Sequence, residues 1–550
     1  MQARTVASIL VGDADGNGGL GSPGRRLQAR GGSPTMRRFL GDTMQLGFVI
    51  DHSRCIGCHA CTVACKAEND VPVGSFRTWV KYTETGAFPA VKRHFAVLRC
   101  NQCTDAPCIT ICPVSALSKR EDGIVDVDPK VCIGCKGCMQ GCPYDALYIH
   151  EGTGTAQKCH FCAHRVERGL APACVIVCPT EAIIPGDFHD PNSRVSRLRR
   201  EGDLVARKTE AGTGPNVFYK EVDASGIDPL VTNTSGGFLW ANQMPGVQLD
   251  AQTFEALERR AGARTVYDVA HAPLWGGKVA SYLFTKSIAA GVVLAGAFVL
   301  PGVWREGGAG TAWVPGLALL FLLLTNGLLV ADLKRPERFL LILRRPNWSS
   351  WIARGAVILV AYALVLSIWL VLAWMGHATR SGPVWLALAS GLAILCAGYT
   401  GWLFGQARGR VLWMKRGLWM HLVAQALVAG AALLILMAPF IGLGLESLGV
   451  LRRVQLVGLM LHLGFMLVEA RLAPRRREEE YARVVRLVSH GPFARRHWVV
   501  GVGLGTIAAI GLSLFFVPPT LLWAASILAL VGLYVEEDIL VRAGQALPIS

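Results

Sequence analysis

Charge is scarce in this sequence. Asp, Glu, Lys and Arg make up 17% of its 550 residues, against 52% hydrophobic ones, whereas soluble domains carry about 25% charged residues. The shortage excludes a uniformly water-soluble protein and leans towards a membrane one. Acid is scarcer still, with 39 Asp and Glu against 55 Lys and Arg and a net charge of +16. Such a balance can mark nucleic-acid binding, but many of the basic residues sit in short loops between apolar runs, where membrane proteins place them. No nucleic-acid partner is expected. Long apolar runs are missing before Trp275, and cysteine is nearly missing after Cys178, Cys396 being the exception. The chain also exceeds what a single core supplies, so two chemistries are joined end to end. Residues 1–43 lack apolar periodicity and read as a disordered tail. Arg25-Arg26 and Arg37-Arg38 are followed by no long apolar segment, so no secretory signal is expected. The first folded domain is expected from residue 44, on a strand over 45–51.

What is present is cysteine in four groups. Cys55, Cys58, Cys61 and Cys65 read C-x2-C-x2-C-x3-C, and Cys132, Cys135, Cys138 and Cys142 repeat that spacing. Cys100, Cys103, Cys108 and Cys112 read C-x2-C-x4-C-x3-C; Cys159, Cys162, Cys174 and Cys178 read C-x2-C-x11-C-x3-C. Pro113, Pro143 and Pro179 directly follow three of the last cysteines. Closely spaced thiolates wrap a tight loop around three corners of a cubane, while the fourth points elsewhere, and in two-cluster ferredoxins it ligates the partner cluster. Sixteen thiolates therefore suit four [4Fe–4S] clusters. Disulfides fit poorly because the triplets are too crowded for strain-free bridges. Zinc is the stronger rival, since paired C-x2-C units can make four-thiolate sites, but zinc ribbons lack triplets with a remote, proline-followed fourth cysteine. His160 and His164 flank a group and read as neighbours rather than ligands.

The stretch Lys158-Cys159-His160-Phe161-Cys162-Ala163-His164-Arg165, with Pro172-Ala173-Cys174 and Cys178-Pro179-Thr180, resembles the iron–sulfur subunit of the molybdopterin oxidoreductase family, as in dimethyl sulfoxide and polysulfide reductases. The resemblance covers about 45–225. It implies two ferredoxin-like pairs in which groups one and four exchange ligands, and groups two and three likewise. Cys65 would then join Cys159, Cys162 and Cys174, and Cys178 would join Cys55, Cys58 and Cys61. Cys112 would join Cys132, Cys135 and Cys138, and Cys142 would join Cys100, Cys103 and Cys108.

Apolar runs long enough for a bilayer of about 30 Å recur eight times after residue 275, at about 278–300, 312–331, 352–375, 383–405, 418–440, 451–471, 497–517 and 520–536. The even number puts both ends of this half on one side. Loops on that side carry Lys334, Arg335, Arg338, Arg408, Arg410, Lys415 and Arg416, among others, so the positive-inside bias makes the cysteine side cytoplasmic; the periplasmic side is the alternative. Polar residues within spans are costly in lipid and point to function. Tyr282 and Lys286 share a face of the first span with Lys278; Asn326 and Asp332 close the second; Tyr399 lies late in the fourth. His421 and Gln425 share a face of the fifth, and His462 and Glu469 one of the sixth. Most fall in the leaflet nearest the cysteines, as a quinone site would. His421 and His462 are expected at different depths, against a haem between them. Cys396 reads as a small packing residue.

Asp332-Leu333-Lys334-Arg335-Pro336-Glu337-Arg338-Phe339, Arg345-Pro346-Asn347-Trp348-Ser349-Ser350-Trp351, Tyr399-Thr400-Gly401 and Ala543-Gly544-Gln545 resemble the NrfD-like membrane subunit of polysulfide reductases. That resemblance implies an eight-helix, haem-free quinone anchor with Tyr399 at the quinone. The expected architecture is thus an α+β double bis-[4Fe–4S] ferredoxin-like domain over 44–225, an interface segment over 226–274, and an all-α eight-helix membrane domain over 275–550. The expected function is electron transfer between menaquinone or ubiquinone and a molybdopterin-containing catalytic subunit, in a bacterial cytoplasmic membrane. A quinone-coupled ion translocator using Lys286, Asp332 and His421, and a non-redox zinc protein, are the rivals.

Overall fold

A computed structural model describes residues 44–86, 89–234, 263–269, 274–305, 312–515 and 519–550; the tail expected over 1–43 lies outside them. Strand β1, Leu46–Asp51, is buried along nearly its whole length, as its near-continuous apolar run requires of a strand covered on both faces. Further strands are β2 (Thr78–Thr85), β3 (Lys92–Arg99), β4 (Ile183–Asp187), β5 (Leu204–Ala206), β6 (Val217–Lys220), β7 (Thr232–Thr234) and β8 (Ala263–Tyr267). One sheet runs β4-β1-β6-β5, with β1 parallel to β6 and antiparallel to β4. The other runs β7-β8-β2-β3. Two strands of the expected interface segment, β7 and β8, therefore complete a sheet of the cysteine half.

Four short helices carry cysteines between these sheets. Ala60–Glu68 packs on Ala173–Ile176, and Pro107–Ile111 on Gly137–Gly141. Group one is thereby folded onto group four, and group two onto group three. Small hairpins follow the second and third groups, Leu117–Lys119 with Val125–Val127 and Leu147–Ile149 with Ala156–Lys158.

The second half is a helix bundle: α1 (Gly277–Gly296), α2 (Trp313–Asp332), α3 (Trp351–Trp374), α4 (Ala378–Gln406), α5 (Leu418–Ile441), α6 (Leu445–Leu467), α7 (Arg496–Leu514) and α8 (Pro519–Ala543). Among the described residues, seven helices, α1 to α7, meet the length and apolarity needed to cross a bilayer; α8, 25 residues long, packs against α7 and carries Glu536, Glu537 and Asp538 in its C-terminal third. The molecule is a multi-pass membrane protein. Helix α1 is the most enclosed and touches α2, α4, α5 and α8. Its crossing with α5 is so close that a Cβ on Gly291 would collide with the Ala426 carbonyl oxygen, the backbone approach that small residues permit in membranes.

Candidate functional site

The turn between the first two cysteines is the same in all four groups. Its last residue before the second cysteine, Gly57, Gln102, Gly134 or Phe161, has a positive φ of 44–70°. That reversal folds the loop back on itself and points consecutive thiols inward. The residue after the fourth cysteine is proline in three groups, and a second repeat follows it: Cys112-Pro113-Val114-Ser115-Ala116, Cys142-Pro143-Tyr144-Asp145-Ala146 and Cys178-Pro179-Thr180-Glu181-Ala182. Ser115, Asp145 and Glu181 again have positive φ. The turn delivers the alanine N–H to the sulfur, at 3.3 Å for Ala116 to Cys112 and 3.2 Å for Ala182 to Cys178. In group one, which lacks the proline, the Asn69 side chain donates to Cys65 Sγ at 3.6 Å instead. The sequence reading saw the prolines but not the spaced alanine, whose small size was the available signal.

The structure brings the thiols together in four quartets. Cys65 interacts electrostatically with Cys159, Cys162 and Cys174, and Cys55 with Cys58 and Cys178 while Cys61 reaches Cys55. Cys142 stands with Cys100, Cys103 and Cys108, and Cys112 with Cys132, Cys135 and Cys138. These are the quartets that the resemblance implied. They form a row. Cys138 reaches Cys108 across the first gap, the Lys158 ammonium interacts with Cys100, Cys108 and Cys159 across the second, and Cys61 meets Cys174 across the third. The row is exposed at one end only, at Cys58.

Two observations bear on what the quartets can hold. Burial pushes the Cys61 and Cys162 thiols up to about 11 and Cys135 up to about 12, with neighbouring thiols adding to the rise, so bare thiolates are unfavourable there and a cationic core would be needed to ionise them. Among the described residues no three His, Cys, Asp or Glu side chains converge closely enough for a single ion; the quartet of Cys112, Cys132, Cys135 and Cys138 instead lines a cavity. Both fit a polynuclear cluster. His160 and His164 stand aside, His160 against Arg77 and His164 against Glu68.

The quartet of Cys112 sits on the membrane helices. The loop from Asp332 to Ser350 wraps it: Lys334 N–H donates to Gly134 O at 3.3 Å, Asn347 Nδ2 to Cys112 O at 2.8 Å, Arg338 Nη1 to Cys132 O at 2.9 Å and Ser350 Oγ to Ile111 O at 2.7 Å. A Cβ on Gly134 would meet the Lys334 Cβ at 2.6 Å, so this glycine supplies both the turn and the fit. Asp332 pairs with the Lys136 ammonium at 2.9 and 3.0 Å. Beside it, Gln140 accepts from Arg410 Nε at 2.7 Å and donates to Gln545 Oε1 at 2.8 Å, and Gln545 Oε1 also takes the Leu274 and Trp275 N–H groups at the head of α1. Several of the basic residues counted for orientation thus serve as donors to the cysteine half.

Within the bundle the polar candidates divide in two. Lys286 is fully buried, with its ammonium 3.2 Å from Ala397 O, 2.5 Å from Thr400 Oγ1 and 4.9 Å from the centre of the Tyr399 ring. Tyr282 lies one turn away on α1, and Ser287 donates to Glu537 of α8 at 2.9 Å. Tyr399 occupies the space that a Cβ on Gly355 would fill. Gly355 is three residues, about 4.5 Å of rise, beyond Ile352, whose Cδ1 packs on Gly137 in the quartet loop. Asn326 is half-buried on α2. The second set lies on α5 and α6. His421 Nε2 and His462 Nδ1 are 2.8 Å apart, and Lys415 bridges His421 to Glu469 at 3.4 and 2.7 Å; Tyr481 donates to Glu469 at 2.8 Å. Gln425 is buried one turn beyond His421.

The histidines are thus at one depth, contrary to expectation. Helix α6 spans Leu445–Leu467 rather than 451–471, because Glu469–Leu472 forms a tight turn anchored by Lys415 and Tyr481. His462 is therefore only five residues from its helix end. Lys136 and Glu537 carry no signal in the sequence, and Lys415 and Thr400 figure there only as a loop charge and within a motif, since each pairs with Asp332, Ser287, Glu469 or Lys286 through contacts distant along the sequence. An apolar cavity opens at the far end of α1, lined by Ala297, Pro301, Trp304 and Pro383 among others, away from the quartets.

Comparison with known proteins matches this division. Residues 91–188 fit the family model of the 4Fe-4S dicluster domain, and residues 266–548 that of polysulphide reductase, NrfD. The tetrathionate reductase B subunit of Salmonella typhimurium is 46% identical over 187 residues, 33% of this chain and 75% of its own. The putative dimethyl sulfoxide reductase iron–sulfur B subunit of Halobacterium salinarum is 36% identical over 260 residues, 41% of this chain and 95% of its own. The B component of the Wolinella succinogenes polysulfide reductase is 37% identical over 185 residues, covering 33% and 97%. With one family model spanning just over half of its length and the other matching the last three of the four cysteine groups, the protein belongs to the NrfD polysulphide reductase family and carries a 4Fe-4S dicluster domain joined ahead of its membrane helices.

Proposed function

We propose that this protein is the electron-transfer and membrane-anchor subunit of a respiratory oxidoreductase, working between membrane quinone, menaquinone or ubiquinone, and a separate molybdopterin-containing catalytic subunit. The observation that carries the reading is the row of four thiol quartets, open to solvent at Cys58 and locked against the bundle at Cys112. Four [4Fe–4S] clusters held by the quartets would supply one-electron carriers. The protein's own residues do the rest. The quartets hold, the N–H groups of Ala116 and Ala182 stabilise charge on the sulfurs, and the 333–350 loop keeps the last quartet against the helices. Quinone turnover needs two protons and a hydrogen-bonded carbonyl beside an apolar slot. Tyr399, Tyr282 and Lys286 are the groups within short reach of that quartet; Lys286 has a third N–H beyond those given to Ala397 and Thr400. Asp332 and Glu469 are engaged by lysines and belong to docking and to the second polar set.

The relatives' names, as the B components of reductases, support a catalytic partner. Its place is the exposed end, where Ile56, Val63 and Ile176 of the first and fourth cysteine groups are in the open together with Cys58. Basic residues outside the docking contacts, such as Arg344, Arg345, Arg475 and Arg495, support a cytoplasmic position for the iron–sulfur side, which C-terminal reporter fusions test. The main test is gentle detergent purification. Iron and labile sulfide for four clusters, with a molybdenum-containing partner retained, is the expected result; a colourless protein, or zinc in place of iron, overturns the reading. Ion translocation remains a second reading, favoured by the Lys415–His421–His462 series inside the bundle; it predicts a membrane potential during quinone turnover in sealed vesicles.

A further inference from the structure

Three buried cations surround one quartet. The Arg99 side chain is fully buried, yet it makes a single hydrogen bond, from Nη1 to Cys174 Sγ at 3.3 Å, and stacks on Phe48 at 4.5 Å. Its Nε and Nη2 have no partner, and among the described residues no carboxylate pairs with it. It interacts with Cys174, Cys159 and Cys61, so it stands between the quartets of Cys65 and of Cys55. Lys158 is 2% exposed, donates to the carbonyls of Val125 and Cys159, and stands between the quartets of Cys65 and of Cys100. Arg77 is 8% exposed and bonds only neutral groups, the Asn69, Gln157, Tyr148 and His160 side chains, beside Cys65.

A buried guanidinium without a counter-ion is costly. Folding around it makes sense when the negative charge is supplied by what the quartets hold. The other quartets are treated differently. The lysine beside the membrane quartet, Lys136, is neutralised by Asp332; the Cys55 quartet shares Arg99; and the Cys100 quartet shares Lys158 and has beside it the buried Arg410, whose charge Asp145 and Glu480 offset.

We propose that Arg99, with Lys158 and Arg77, makes the quartet of Cys65, Cys159, Cys162 and Cys174 the electron-retaining station of the row, the one whose cluster has the highest potential. Reduction there adds one electron to the cluster, breaks no bond and moves no proton, because arginine and lysine keep theirs. The electron comes from the neighbouring station on either side. Potentials along the row therefore rise to an interior maximum and do not fall steadily from quinone to partner. Arg99 is a positioning residue for charge, touching a ligand sulfur and not the substrate.

The inference rests on the four-cluster reading, and the test separates the two. Iron and labile sulfide are counted first in the full-length protein and in each variant; absence of clusters from wild type fails the reading itself. Potentials are then titrated by low-temperature paramagnetic resonance in wild type, Arg99→Gln, Arg99→Lys and Cys65→Ser. The Cys65→Ser variant is expected to remove or alter the signal that is reduced first. In Arg99→Gln that same signal is expected to show at least a tenfold lower reduced-to-oxidised ratio at the wild-type midpoint, about 59 mV for one electron, and Arg99→Lys is expected to restore most of it. Four unchanged potentials in Arg99→Gln, or a Cys65→Ser effect on a later-reduced signal, overturn the proposal. If Arg99→Gln loses iron, Lys158→Gln carries the same comparison from the other side of the quartet.

Discussion

Asn in place of Asp332 leaves the Lys136 ammonium without its counter-charge, and the cost follows from the site. The pair is 2.9 Å long with Lys136 8% and Asp332 18% exposed. Exposed pairs contribute about 0–1 kcal/mol, and breaking a fully buried one costs about 3–5 kcal/mol. Lys136 would keep its 3.4 Å bond to Leu274 O and could still donate to the asparagine Oδ1, but its charge would be uncompensated, so Asp332→Asn should cost about 2 kcal/mol, between those limits. For an iron–sulfur half of this size that is a fall of about 4–8 °C in the midpoint of thermal cluster bleaching, read from visible absorbance in detergent. Replacing both partners, Lys136→Met with Asp332→Leu, should recover to within about 1 kcal/mol of wild type, because a buried pair exchanged for apolar groups is near neutral. A single variant as stable as wild type, or a double variant as weak as the single, would refute the claim that this contact docks the two halves.

Cys112→Ser should alter the same paramagnetic signal as Cys135→Ser, and Cys108→Ser a different one; shared effects of Cys112 and Cys108 variants would contradict the crossed quartets. Tyr399→Phe should slow quinol oxidation about tenfold or more with all iron retained, measured by stopped-flow cluster reduction. Acid stability turns on His52, whose Nε2 accepts the Val97 N–H at 3.1 Å and whose burial lowers its pKa to about 4. An unfolded imidazole takes its proton near pH 6.5, so the unfolded state holds more protons between these values. Stability should be full above about pH 6.5 and fall by up to about 3 kcal/mol as pH drops towards 4; thermal midpoints against pH should flatten in His52→Gln.

Local repeats were legible in the sequence, and partnerships across it were not. Cysteine spacing announced the quartets because the loop that presents three thiols is a few residues long. Apolar runs announced the helices because a bilayer demands length. The crossing of groups one with four and two with three came from resemblance, and its basis is the packing of Ala60–Glu68 on Ala173–Ile176, which no local signal carries. Asp332 stands out in the sequence because an acid at a span's end is unusual, but its partner Lys136 lies 196 residues away and is invisible there. The error over His421 and His462 had a small cause. A turn held by Lys415 ended α6 early, and four residues of shift along a helix displace a residue about 6 Å. Arg99 ends an ordinary-looking strand, and its isolation is visible only in three dimensions.

In the proposed function, quinone at the bundle and clusters in the row exchange electrons within this one protein. The direct measurement is to reduce the purified protein in lipid nanodiscs, remove the reductant, and add a menaquinone or ubiquinone analogue without oxygen. Prompt reoxidation of the clusters, slowed in Tyr399→Phe, is the result predicted. Clusters that stay reduced in the presence of either quinone would contradict the account.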